Sequence, residues 1–387
     1  MGSKVIGINL LSFDSASLTG VGYFFKRLME ALPLVVDLQF VIFCQTHFPL
    51  EQVIQIPEGI NWRRVNVPAF RSRVHRILYE QTILPFLCKS VDVLFSPCVA
   101  NPLLSIGYRT VSTIHDLTPF FVPSKYGFAQ HLYVKAITRL LASSSSLVIT
   151  VSENSKSDLM RVLHVDGSKI EVLYNFVPER SASAVSYENY FLAVGTRQPA
   201  KNLSGVIKAF ALFSKKYDRN NHQLKIVGGS GWGDDEYSSL VAALGMQERI
   251  QFTGYIPEAE LDELYRGCKG LIILSFYEGF GIPVLEALSW SKPAVASNVS
   301  SLPEVAGPTG ILVDPFDGEA AALAIQSIAE DPQSYLTGRD GQLAKFSPGV
   351  QIEKFLSILS AQANRPSTWL PRIVSGQKKS DPQSSPR

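Results

Sequence analysis

Residues 275–304 read SFYEGFGIPVLEALSWSKPAVASNVSSLPE, and this stretch decides the fold. The apolar run 270–274 before it has the length and composition of a buried strand. Gly279-Phe280-Gly281 then give a turn, and Pro283 opens a helical pattern that carries Glu286. A strand, a glycine turn and a helix start together form an anion site made of backbone N–H groups and the positive end of a helix. Glu278 and Glu286 bracket that site, with seven residues between them. Glu286 alone reads equally as an acid favoured in a first helical turn. Glu278, in the loop before the helix, has no such explanation. A carboxylate beside a phosphate site suits sugar hydroxyls, which can donate to it.

Working outward, short apolar strands alternate with helical patterns along the whole chain. Strands are expected at 4–10, 38–44, 91–96, 110–114 and 147–151, with helices at 23–32 and 154–163, the latter capped by Ser152. After the polar stretch 179–189 the pattern restarts: strands at 190–194, 223–227, 250–252 and 270–274, and helices at 203–216, 234–244 and 259–267. Alternation of this kind predicts an α/β fold with two doubly wound parallel sheets. The expected division is 1–180, 181–345, a last helix within 346–363, and a disordered tail 364–387 rich in Ser, Pro, Gln and Lys. Ser181, Ser183 and Ser186 look like linker composition.

At 387 residues, with 46% hydrophobic and 18% charged residues, the chain can bury two substantial cores and is not a disordered protein. Its formal charge of +2 is too small for a nucleic-acid binder. Cys44, Cys88, Cys98 and Cys268 show no disulfide or zinc spacing and fit buried thiols. No secretory signal pattern and no apolar run of membrane-spanning length is evident, so the chain reads as soluble and cytoplasmic. The basic residues Arg63, Arg64, Arg71, Arg73 and Arg76, interleaved with Trp62, Phe70, Ile77 and Leu78, leave two readings open. One is a solvated helix face and loop. The other is peripheral contact with an anionic membrane or a lipid-diphosphate acceptor.

Further candidates stand where strands end. Gly195-Thr196-Arg197 follows one strand and Lys201-Asn202 precedes the next helix, a placing that suits a diphosphate. Thr19-Gly20-Val21-Gly22 would let the backbone approach a phosphate or sugar closely, although Phe25 stands where a dinucleotide fingerprint needs a third glycine. His115-Asp116 follows the strand 110–114, His115 facing the expected cleft and Asp116 orienting the loop. Asp234-Asp235 open a helical pattern and have no partners spaced for a metal, so neither a metal nor another cofactor is expected.

The string Glu278, Gly279-Phe280-Gly281, Glu286, Lys292-Pro293-Ala294-Val295 and Leu302-Pro303-Glu304-Val305 resembles the donor-binding signature of the retaining, family-4 glycosyltransferases, in the mannosyltransferase-like branch. That resemblance runs over about residues 4–360 and implies the GT-B architecture: two Rossmann-like domains facing a cleft, with the last helix crossing back to the first. It implies a hexose carried by a nucleotide-sugar donor, GDP-mannose or a relative. The sugar would pass to a glycan or lipid-linked glycan in surface polysaccharide synthesis. Glu286 would then hold the ribose and Glu278 the sugar. Gly22, Arg197, Lys201, Gly279, Phe280 and Gly281 would face the diphosphate, and His115 the donor sugar. Glu80-Gln81 before Leu84-Pro85 matches a habit of the same branch and gives acceptor-side candidates, a helical surface pair being the other reading. The turn containing Trp232 is likewise typical of it. Departures stand at Tyr23, Ala200 and Phe176, where relatives have arginine, arginine and glycine. A non-catalytic scaffold and another enzyme of the same architecture, such as an epimerase, therefore stay open.

Overall fold

The computed structural model of the protein describes residues 3–13, 18–33, 37–122, 128–178, 180, 186–229 and 234–365, without the side chains of 128–130 and 234. The expectations for Ser181, Ser183, the Trp232 turn and the tail beyond 365 lie outside the described residues.

The first sheet holds β1 (Lys4–Asn9), β2 (Leu38–Gln45), β3 (Trp62–Val67), β4 (Val93–Ser96), β5 (Arg109–Thr113), β6 (Leu147–Thr150) and β7 (Ile170–Val172). All pairs are parallel, in the order β3-β2-β1-β4-β5-β6-β7. The second holds β8 (Tyr190–Val194), β9 (Gln223–Val227), β10 (Ile250–Gly254), β11 (Leu271–Ile273), β12 (Ala294–Ser297) and β13 (Ile311–Val313), also parallel, in the order β10-β9-β8-β11-β12-β13. The central strands β4, β6, β11 and β12 are buried at every residue, as parallel strands covered by helices on both faces must be. Each sheet reverses its winding once, between β1 and β4 and between β8 and β11. Crevices open at such reversals, beyond the carboxyl ends of the strands.

Two differences from the sequence reading change the charge map. Residues 62–67, expected as helix face or loop, form the edge strand β3. Apart from the buried Val67 its side chains are only partly covered, and it lacks the continuous apolar run of a central strand. Arg64 is bound internally, donating to the carbonyls of Gln45, Thr46 and Phe48 and pairing with Glu51 at 2.9 Å. Arg63 and Arg64 thus belong to a different element from Arg73 and Arg76, which lie on the helix Arg73–Thr82.

The last helix, Pro348–Ala363, leaves the second sheet and packs on the first. The Phe355 ring meets Phe95 of β4 edge-on at 5.1 Å, and Gln362 accepts from Arg109 at 2.8 Å. Phe355 is fully buried. Truncating it to alanine would cost about 3–5 kcal/mol.

Candidate active site

β11 ends at Ile273, and the loop that follows delivers Glu278 to the mouth of the second crevice. Three elements hold that residue. Its N–H donates to Ser300 Oγ at 3.0 Å, its carbonyl accepts from Ser301 Oγ at 3.0 Å, and Ser275 Oγ donates to its Oε1 at 2.7 Å. Lys201 Nζ lies 2.6 Å from each carboxylate oxygen. The lysine comes from the turn Pro199–Lys201 after β8, and Asn202 fixes that turn. Asn202 sits in the left-handed region (φ 49°), caps the helix Leu203–Lys216 through Gly205 N, and donates to the carbonyls of Leu274 and Pro315 at 2.9 and 3.0 Å. The Lys-Asn pair therefore divides its work: Asn202 clamps two loops together and Lys201 carries charge into the hollow they share with Gly195, Thr196 and Ser275.

Gly281 precedes the helix Ile282–Ser289 at φ 99°, and a Cβ there would stand 2.7 Å from Leu302 Cδ2. Both the dihedral and the contact require glycine. Among the described residues, no acceptor is bonded by the amides of Phe280 and Gly281. The Phe280 side chain is buried against Tyr174 and Phe346, which orients the loop's backbone.

Glu286 is not a helix-start acid. It is the fifth residue of its helix, whose first turn holds no acid. Its Oε1 accepts from Arg27 Nη2 at 3.0 Å and its Oε2 from Tyr265 OH at 3.1 Å. Burial pushes its carboxyl above the usual range, while the Arg27 guanidinium acts against that shift. Arg27 belongs to the helix Gly20–Glu30 beside the first sheet and also donates to the Phe176 carbonyl at 3.0 Å. It was not singled out from the sequence. Its distance from Glu286 along the chain hid the pairing. Arg197, expected beside Lys201, is 9% exposed with its guanidinium over the Phe252 ring at 4.8 Å.

The facing wall is assembled from the first sheet. His115, after β5, has Nε2 2.8 Å from the Pro97 carbonyl, so that nitrogen carries the proton. Burial lowers its pKa, which keeps the ring neutral with Nδ1 as an acceptor. Asp116 accepts from Thr118 N at 2.7 Å and so orients the loop. Gly279 docks here. Its carbonyl accepts from Ser152 Oγ at 2.7 Å and from Ser155 Oγ at 3.2 Å, and a Cβ would stand 2.7 Å from the His115 carbonyl. Ser152 is also the expected cap of its helix, Glu153–Leu163, accepting from Ser155 N. Glu304 reaches the same helix start and accepts from Glu153 N and Asn154 N at 2.9 and 3.3 Å. Tyr277 donates to Asp158 at 2.8 Å and stacks on Phe121 at 4.9 Å. The 277–281 loop and the first wall are thus in direct contact.

The remaining candidates sit outside this junction's hydrogen bonds. Gly22 lies in the first turn of its helix, and a Cβ there would meet Leu18 at 2.8 Å, which gives it a packing reason. Glu80 is not on a helical surface: it is 2% exposed, with Oε1 3.8 Å from Arg76, and burial pushes its carboxyl up to about 7. Gln81 pins a loop, donating to Asn101 O at 3.2 Å and accepting from Leu103 N at 2.9 Å. Among the described residues no group of three His, Cys, Asp or Glu side chains is placed to hold a metal ion.

Two parallel α/β sheets whose switch points face each other, with paired carboxylates and a lysine at one of them, define the GT-B class of glycosyltransferase. Comparison with known proteins gives the family. Residues 179–338 match the family model "Glycosyl transferases group 1" and residues 19–180 match "Glycosyltransferase Family 4". O-antigen chain mannosyltransferase B of Escherichia coli is 32% identical over 237 residues, covering 58% of this chain and 62% of that protein. O-antigen chain mannosyltransferase RfbU of Salmonella typhimurium is 29% identical over 238 residues, covering 61% and 65%. The matches thus span just under two thirds of these relatives' length. Anabaena HepE, solved in complex with UDP and glucose, shares the fold with a TM-score of 0.69 at 18% identity, over 93% of this chain and 100% of that one. The chain belongs to the family-4 glycosyltransferases.

Proposed function

We propose that the protein transfers mannose or a related deoxyhexose from a nucleotide sugar, GDP-mannose or a relative, to a hydroxyl of a lipid-linked glycan, with retention at the anomeric carbon. The reading is supported by the likeness to O-antigen mannosyltransferases. The observation that carries it is the Lys201–Glu278 pair beside the Gly281 helix start.

In this reading Lys201, the Phe280 and Gly281 amides and the positive helix end take the diphosphate as its charge develops. Lys201 then exchanges part of its contact with Glu278, which frees carboxylate oxygen for sugar hydroxyls. Glu286 exchanges Tyr265 or Arg27 for the ribose hydroxyls. His115 Nδ1 accepts from a hydroxyl of the donor sugar, and Gly22 lies near the phosphates. Arg197 joins them only by leaving the face of Phe252. The departing diphosphate oxygen takes the acceptor's proton on the face it leaves, so no protein nucleophile is needed. On the acceptor side Gln81 holds the 101–103 loop, and Glu80 is its buried neighbour on the same helix.

Calorimetry with GDP, UDP, ADP and dTDP on the wild type and Glu286→Ala tests this. Selective binding of GDP, weakened about tenfold or more by the substitution, is expected. A folded wild type that binds no nucleotide would overturn the reading in favour of a scaffold.

A further inference from the structure

We propose that the outer rim of the second half carries a saccharide-binding platform, formed by the open face of the Phe316 ring and the hollow beside it, which takes a neutral glycan. The platform lies outside the crevice described above. It rests on the proposed transfer for its purpose only, since binding is measured without turnover.

Phe316 follows β13 and is 80% exposed, more than any other large apolar side chain among the described residues. A lone exposed ring is ordinary when nothing holds it. This one is held. Its inner face stacks on Phe276 at 4.9 Å with the planes 22° apart. Its N–H donates to Asp314 Oδ1 at 2.8 Å, and the Pro315 carbonyl before it accepts from Asn202 at 3.0 Å. Phe276 is fixed in turn, its N–H donating to the Ala200 carbonyl at 2.8 Å. The ring is therefore set in place with one flat face open, and a ligand need not order it on binding.

Beside the ring lies a hollow of about 500 Å³ lined by Lys208, Asp314, Asp317, Gly318 and Glu319, a volume in the range of small-molecule sites. Its three acids are already offset. Asp314 accepts from Phe316 N, Asp317 caps the helix Gly318–Glu330 through Ala320 N at 2.9 Å, and Glu319 pairs with Lys216 at 2.5 Å. Their oxygens keep lone pairs for hydroxyl donors, while the charge that would draw a cation is largely spent. The same acids repel a phosphate. A wholly apolar partner would bury these charged groups without new bonds, at a high cost. A pyranose answers each demand. Its C–H face meets the electron-rich face of Phe316, its hydroxyls donate to the acids, and Lys208 donates to its oxygens. The platform also stands on the outer side of the loops that Asn202 clamps, one residue from Lys201 and two from Glu278. A glycan held there stays beside the crevice between transfers.

The test is a ligand-observed NMR titration of the full chain with a linear mannopentaose, with tetralysine and inorganic phosphate as comparators. The variants are Phe316→Ala; Phe316→Leu, which keeps apolar bulk without a flat face; Phe316→Trp, which keeps the face; and Gly318→Gln, which fills the hollow from a position where a Cβ meets nothing. The wild type and Phe316→Trp should bind mannopentaose alike, and the Ala, Leu and Gln variants about fivefold or more weakly. Melting temperature and nucleotide affinity should be unchanged in all four, which shows that the fold and the crevice survive. In transfer assays the three weakened variants should raise KM for an acceptor of several sugars, with kcat and the KM for a short acceptor unchanged. Wild-type affinity in Phe316→Ala, or a Phe316→Leu that binds like the wild type, would overturn the platform. So would binding of tetralysine or phosphate through Phe316 in place of mannopentaose. Failure of the proposed transfer shows separately, as a wild type that binds mannopentaose through Phe316 yet binds no nucleotide.

Discussion

The two walls of the cleft are made of different materials. The second half contributes full charges: Lys201 against Glu278 at 2.6 Å, and Glu286, which meets Arg27 from across the cleft at 3.0 Å. The first half adds the Arg27 cation and the Asp158 carboxyl group and otherwise answers with neutral groups: the uncharged His115 ring, two serine hydroxyls and the amides at the start of the helix Glu153–Leu163. In the proposed function these charges bind and release a donor and so must exchange partners, which fits a Lys201 side chain that is paired yet 28% exposed. Neutral hydrogen bonds have no such task. They hold the 277–281 loop in place through the Gly279 carbonyl.

Three experiments can break or sharpen this contrast. The largest effect is expected from Lys201→Ala, which removes the charged wall's central cation. Transfer should fall about a hundred- to a thousandfold, with nucleotide affinity reduced as well. A loss of less than tenfold would show that the pair is structural. Next, Ser152→Ala with Ser155→Ala leaves the Gly279 carbonyl without its donors, at a cost of about 1–3 kcal/mol in the closed arrangement. Steady-state kinetics should show kcat/KM about ten- to a hundredfold lower, with nucleotide affinity by calorimetry little changed. Equal losses in both would erase the distinction between the walls.

A third experiment, read in stability rather than in transfer, tests the buried acid of the first half. The Glu80 carboxyl is raised by burial from 4.5 to about 7. A raised carboxylic acid contributes stability that is fully present below the unfolded value, and that contribution is lost as pH rises through the folded value. Melting temperatures of the wild type should therefore fall relative to Glu80→Gln between pH 4.5 and 8, by up to about 3 kcal/mol of stability. Parallel pH profiles for the two proteins would mean that Glu80 is already ionised in the fold.

Legibility in the sequence follows the same division. Tyr190–Val194, Leu203–Lys216 and Gln223–Val227 begin and end where the apolar runs and the Asn202 cap place them. The strands are largely buried and the helix keeps its apolar residues on a buried face, so the pattern is clean. The edge strand β3 and the helix Phe128–Ser144 were missed because their outer sides break that pattern. The helix exposes Leu132, Tyr133 and Leu140, which weakens the contrast between faces that marks a surface helix. Within the site, Glu278, Lys201, Gly281 and Glu286 were recognisable one by one, since each sits in a local motif. Their partners were not. Ser152 and Gly279 are 127 residues apart, Glu153 and Glu304 151, and Arg27 and Glu286 259, and no local spacing encodes such meetings.

The return of the helix Pro348–Ala363 to the first sheet has a consequence during synthesis. The first sheet's last strand ends at Val172, yet Phe95 lacks its Phe355 cover until nearly half the chain more has been made. At elongation rates of roughly 5–20 residues per second, that interval lasts about ten to forty seconds. The older half of the molecule waits as an open core while the younger half folds as a unit. The helix Pro348–Ala363 then closes the first sheet to have formed.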